Sequence, residues 1–176
     1  MQRIEGKSQG FVHTTAWLVD VGYVVKASEG AFRLDYVGAY RLLEERWGRT
    51  EAFLFNGFDP AYGVSDGLKR FYTAMEKHGM HVRLQAMESD PGGSDRQRRV
   101  DVDLSAHLVW QASLESVATL VLTAGDQDFV PAVEMARARF GKRVVLFTYK
   151  QSVHNELVEG ADEWWLFEDE AARLAR

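Results

Sequence analysis

Residues 119–129 read TLVLTAGDQDF, and this stretch decides the fold. Thr119 to Ala124 are apolar on both faces of an extended chain, as a strand buried in the middle of a sheet requires. Gly125-Asp126-Gln127-Asp128 is a turn, and 129–140 has helical spacing that ends at Gly141. A buried strand running through a short acidic turn into a helix is one unit of a wound α/β sheet.

The same alternation extends in both directions. Upstream, 17–21 (WLVDV) reads as a first strand, 33–47 as a helix, 52–55 (AFLF) as a second strand, 66–78 as a helix stopped by Gly79, and 81–86 (HVRLQA) as a third strand. Residues 88–99 hold Pro91, Gly92 and Gly93 and read as a mobile loop, followed by a helix over 101–114. Downstream come a fifth strand at 143–148, a short helix at 152–158, a last strand at 163–167 and a frayed helical tail. The expected architecture is α/β, with a mostly parallel sheet covered by helices on both faces. The expected organisation is a lead-in over 1–15, one domain over 16–168 and a tail over 169–176.

Composition narrows the function. The chain has 176 residues, 46% hydrophobic and 27% charged, a globular balance. Lys+Arg number 21 against 26 Asp+Glu, a net charge of −5, so a uniformly basic nucleic-acid coat is excluded while a local basic patch is not. Cysteine is absent, which excludes disulfides, thiolate metal sites and a cysteine nucleophile, and suits a reducing interior. The polar start holds no secretory apolar segment, and runs such as 118–124 are too short to span a bilayer. The expected setting is cytoplasmic, away from membranes. No G-x-x-x-x-G-K-[ST] loop, G-x-S-x-G elbow or G-x-G-x-x-G turn is present.

In an open α/β sheet, ligands bind beyond the carboxyl ends of the strands, where strand order reverses. The first strand delivers Asp20 there, the fourth leads into Asp126 and Asp128, and the third helix opens with Asp101 and Asp103. Carboxylates crowded in a cleft raise one another's pKa, and a hard cation, Mg²⁺ or Mn²⁺, relieves that repulsion. Such an ion with acidic ligands suits phosphodiester hydrolysis. The competing explanation is structural, because aspartate at a helix start caps free N–H groups. Asp101, Asp103 and Asp128 are open to it. Asp20 closes a buried strand and has no capping role visible in the sequence.

The segments LVDVGY (18–23), RVDVDL (99–104) and TAGDQDFVP (123–131), with GKRV (141–144) and Ser152, Leu157 and Ala161-Asp162-Glu163 downstream, resemble the NYN domains of the PIN-like superfamily, in particular the LabA-like branch. The resemblance runs from Trp17 to Phe167. It implies a Rossmann-like three-layer PIN fold and a metal-dependent ribonuclease acting on single-stranded or structured RNA. The family's first-strand Asp falls on Asp20, that of its basic-x-V-D motif on Asp101, and those of its acidic turn on Asp126 and Asp128; beside them, Asp103 is expected to assist the metal or to cap the helix. The resemblance also places Ser152 near the substrate. Two positions depart from the pattern: Val21-Gly22-Tyr23 stand where many relatives carry an Asn-containing turn, and His107 stands where many carry a further Asp.

A polyanion needs positive charge at the rim. Arg96, Arg98 and Arg99 precede Asp101 and are the expected phosphate contacts, with Lys26, Lys150 and Arg143 as additions. On a solvated loop the same arginines serve solubility alone. Tyr23, Phe58, Tyr62 and Tyr149 follow strands, where aromatics either stack on bases or pack a loop; Tyr23 is the stacking candidate. Trp164 and Trp165 read as core or as a homodimer surface, and Met75, Met80 and Met87 as core filler. Two rival readings share the fold: a catalytically weak or inactive RNA- or protein-binding regulatory module, and a metal-dependent phosphatase.

Overall fold

A computed structural model describes residues 13–87 and 95–176, apart from the side chains of 95–98. Six strands form one sheet in the order β3-β2-β1-β4-β5-β6: β1 (Thr14–Asp20), β2 (Thr50–Phe58), β3 (His81–Ala86), β4 (Val117–Thr123), β5 (Arg143–Thr148) and β6 (Glu163–Leu166). Every neighbouring pair is parallel, so the mostly parallel expectation becomes an all-parallel sheet. The chain winds outward from β1 to β3, returns to β4 beside β1, and winds outward again. Strand order therefore reverses between β1 and β4, and a crevice opens at their carboxyl ends.

Alternation along the strands separates two cores. Trp17 and Val19 face one side with Leu42 and Leu43 of α2 (Tyr36–Trp47) and Met75 of α3 (Asp66–Lys77). Leu18, Phe53 and Phe55 face the other, with Leu104 and Leu108 of α4 (Asp95–Ser113), Val133 of α5 (Val130–Ala138) and Leu157 of α6 (Asn155–Gly160). This is the three-layer α/β/α arrangement. Trp17 is fully buried, and its indole N–H donates to Thr123 Oγ1 at 2.9 Å, which locks β1 to β4 beneath the crevice. Truncating such a side chain costs about 3–5 kcal/mol, a large share of a typical domain's stability.

Three local expectations change. Helix α1 (Val21–Ser28) follows β1 without a loop; its VGYVVKAS run is apolar enough to read as continued strand. Helix α4 begins at Asp95, so Arg99 lies in a helix rather than a loop, and Asp101 and Asp103 stand in later turns rather than at its cap. Residues 88–94 of the expected loop and 1–12 of the lead-in lie outside the described residues. The tail is docked rather than frayed: α7 (Ala171–Leu174) buries Leu174 completely, and the Arg176 backbone N–H donates to Arg33 O at 3.0 Å. Turn chemistry is as read at Gly79 (φ 84°) and Gly141 (φ 63°), where a left-handed backbone ends α3 and α5.

Candidate active site at the strand-order reversal

The crevice holds a cleft of about 760 Å³ whose lining includes Asp20, Asn56, Asp126 and Lys26. Asp20 ends β1 and is buried. Its Oδ1 accepts the Tyr23 N–H at 3.0 Å, so it is the N-cap of α1, a structural role hidden by the unread helix. Burial raises its pKa; the Tyr23 and Gly22 N–H groups oppose the rise, and the charge of Asp126 adds to it. Asp126 follows β4 and is exposed. Its Oδ1 accepts the Asp128 N–H at 3.0 Å and caps a 3₁₀ turn (Gln127–Phe129), so the capping residue is Asp126 and not Asp128.

Asp101 reaches the same region from α4. Its Oδ1 is buried and has no hydrogen-bond partner among the described residues. Burial pushes its pKa up to about 7, and the charges of Asp20, Asp126 and Asp128 push the same way. Four aspartates from three segments thus act electrostatically on one region. Among the described residues, no group of three or more His, Asp or Glu side chains already stands in ligating geometry. The residues nevertheless fit a hard cation. All the donors are oxygens, one carboxylate oxygen is orphaned, and Mg²⁺ binds through one or two carboxylates while keeping its waters.

Asp103 does not join this group. Arg83 of β3 forks onto it with contacts of 3.1 and 2.9 Å, and Gln85 donates at 2.9 Å. Burial raises its pKa, but these hydrogen bonds outweigh that and hold it below the usual range. Two residues along a helix turn the side chain by about 200°, so Asp101 and Asp103 face opposite ways. His107 lies on the Asp103 side, buried against Phe53 and Phe55, with ring centroids 4.5 and 5.5 Å away. Desolvation, aided by the Arg83 charge, lowers its pKa to about 4, which makes it a neutral packing residue.

The remaining expectations divide. Tyr23 lines the cleft but is a strut. Its hydroxyl accepts the Tyr149 N–H at 3.1 Å, and its ring fills the space beside Gly125, where an added side chain would begin 2.6 Å from it. Packing thus accounts for the hydroxyl and for the ring edge beside Gly125. Tyr149 is buried with its hydroxyl on Phe32 O. Ser152 sits exposed at the cleft wall. Arg99 reaches Ala86 O at 3.4 Å, while the side chains of Arg96 and Arg98 lie outside the described residues. Arg143 is paired with Glu163 at the sheet's far edge, away from the cleft. Met87 is cleft lining over Gly57 rather than core filler.

Asn56 is a polar cleft residue that was not read from sequence. Asn56 stands one position past the expected end of β2. A side chain on Gly22 would begin 3.2 Å from Asp20 Oδ1 and 3.9 Å from Asn56 Oδ1, so both oxygens border one small space. The Gly57 N–H can only donate, and it donates to Asn56 Oδ1 at 2.9 Å, which fixes the amide orientation; Nδ2 donates to Tyr72 at 2.6 Å. The missed signal was position: the rule that marked Asp20 applies equally to the end of β2.

The NYN domain family model matches residues 51–166, from β2 through β6. The chain belongs to the NYN domain family. NYN domains are generally nuclease-like members of the PIN-like superfamily, generally act on RNA, and usually use divalent metal ions. The match begins after β1, so Asp20 lies outside it, and it is shorter than the span of the resemblance. None of the curated proteins compared matches the chain. The fold is similar to that of a protein of unknown function from Vibrio parahaemolyticus, with a TM-score of 0.79 at 20% identity, covering 96% of this chain and 99% of that one. Among the described residues, no helix is long and apolar enough to cross a membrane.

Proposed function

We propose that this NYN domain is a metal-dependent ribonuclease of the LabA-like branch, acting in the cytoplasm. The observation that carries the reading is the orphaned, buried Asp101 Oδ1, which feels three further aspartates. An unpartnered carboxylate in such a place is costly unless a proton or a cation neutralises it. Asp20, Asp101, Asp126 and Asp128 would hold Mg²⁺ or Mn²⁺. When bound, such an ion lowers the pKa of its water and neutralises charge on phosphoryl oxygens.

The protein's own groups supply the rest. Asp101 gives up its proton near neutral pH and becomes a ligand. Asp20 and Asp126 are held by their capping hydrogen bonds, so they need little reordering to bind. Asn56 Oδ1 offers a fixed acceptor beside Asp20. Arg99, with Arg96 and Arg98 on the same first turns of α4, and Ser152 at the cleft wall meet the phosphates of the RNA.

The test is hydrolysis of end-labelled RNA with Mn²⁺, comparing wild type with Asp126→Asn. Loss of cleavage in the variant supports the reading, and equal cleavage by both proteins refutes the site. A second reading, a regulatory binding module with a weak metal site, is favoured by the absence of a ready ligating group among the described residues. Calorimetric titration with Mn²⁺ separates the two, since the module binds metal feebly and cleaves nothing.

A further inference from the structure

The aspartate cleft continues into a second cavity of about 410 Å³, and the two share Lys26, Ala27, Gln151 and Ser152 as common walls. The second cavity differs in character. Its lining includes small residues, among them Ala27, Gly30 and Ala171, with the half-buried ring of Phe32. The ring meets Tyr149 edge-on with centroids 5.6 Å apart, and the Tyr149 hydroxyl pins the Phe32 carbonyl at 2.7 Å, so the wall is rigid. Lys26 and Lys150 are exposed at the mouth, and neither makes an ion pair among the described residues. Glu168 also lines it, with Oε1 already accepting the Lys150 backbone N–H at 3.0 Å.

We propose that this cavity takes the unpaired base of the nucleotide next to the scissile linkage, with Lys26, on the ridge between the two cavities, binding the intervening phosphate. The proposal rests on the ribonuclease reading of the first cleft. Small residues beside an aromatic ring suit the flat face of a base, and the volume lies within the range of small-ligand sites. A base paired in a duplex keeps its faces covered and its edge engaged, so it cannot enter. The site therefore selects single-stranded over double-stranded RNA. Its own anion, Glu168, lies with Lys150 rather than on the shared wall where the phosphate passes.

Gly30 provides a clean test. A side chain there meets nothing within 4 Å, and its backbone is not left-handed, so Gly30→Phe adds a bulky ring to the cavity lining without a clash. Fluorescence anisotropy in Ca²⁺ would follow a labelled single-stranded octaribonucleotide and its duplex, with cleavage read separately in Mn²⁺ and folding by thermal melting. Gly30→Phe and Lys26→Ala should each weaken single-strand binding by about fivefold or more, consistent with the worth of one stacked base. Duplex binding should be weaker at the outset and little changed. Unchanged single-strand affinity in both variants, or an equal loss for the duplex, overturns the subsite. If wild type cleaves RNA while both variants bind as it does, the subsite is wrong and the ribonuclease reading stands. If wild type neither binds nor cleaves any RNA, both fail.

Discussion

Helix α4 carries two aspartates, two residues apart, in opposite electrostatic circumstances. Asp101 feels the charges of Asp20, Asp126 and Asp128, has a buried oxygen without a partner among the described residues, and has its pKa pushed up to about 7 by burial and those charges. Asp103 faces β3, accepts three hydrogen bonds from Arg83 and Gln85, and stays ionised below the usual range. The residue type and the helix are the same, so the difference comes from what each face meets. One face meets like charges at the ends of β1 and β4; the other meets a guanidinium on the edge strand. A structural carboxylate is satisfied inside the protein, whereas one kept for a ligand is left wanting a partner.

The largest effect expected from this contrast is on catalysis. Asp101→Asn should lower Mn²⁺-dependent RNA hydrolysis by about 100-fold or more, and Asp103→Asn by less than about tenfold. Steady-state rates on one labelled RNA decide it, and a reversed order would break the comparison.

Stability should show the opposite sign. Arg83→Met leaves Asp103 mostly buried without its cation and should cost about 1–2 kcal/mol, read as a lower urea midpoint with activity kept within a few-fold. Asp101→Asn removes an uncompensated charge and should stabilise the metal-free protein at pH 8. The pH dependence sharpens this. A carboxyl whose folded pKa of about 7 exceeds its ordinary 3.8 favours the folded state at low pH, and that advantage is lost as pH rises from about 4 to about 7. The wild-type melting temperature should therefore fall relative to Asp101→Asn across that window, by a few degrees for about 1 kcal/mol, and Mg²⁺ should narrow the gap. Parallel melting curves across the window would show that Asp101 carries no such burden.

The smallest expected effect is at His107. With its pKa lowered to about 4, its ring signals should not titrate between pH 5 and 8 by NMR, and His107→Phe should leave the pH–rate profile unchanged. An inflection near 6.5 that disappears in the variant would place the imidazole in the chemistry after all.

Much of this arrangement was legible in the chain. Strands at 81–86 and 143–148 were readable to the residue, because flanking glycines and apolar runs bound them. The carboxyl-end rule directed attention to Asp20 and Asp126, and both line the cleft. Helix α1 was not legible, because Val21, Val24 and Val25 favour strand locally and only packing over the sheet bends the chain into a helix at Asp20. The split between Asp101 and Asp103 was hidden for a related reason. Spacing says that the two diverge, but it does not say which face meets Arg83.

The order of apolar runs, glycine stops and acidic turns determined by itself that this is a wound α/β domain with carboxylates beyond its central strands. Such features depend on periodicities of two and 3.6 residues, which are local. Which carboxylate is paired, which is orphaned, that Asn56 stands beside Asp20 and that a second cavity opens past Lys26 were decided only by the tertiary structure. Those facts depend on distances between segments from 20 to more than 100 residues apart, and on how far water is excluded between them, and no local pattern carries either quantity.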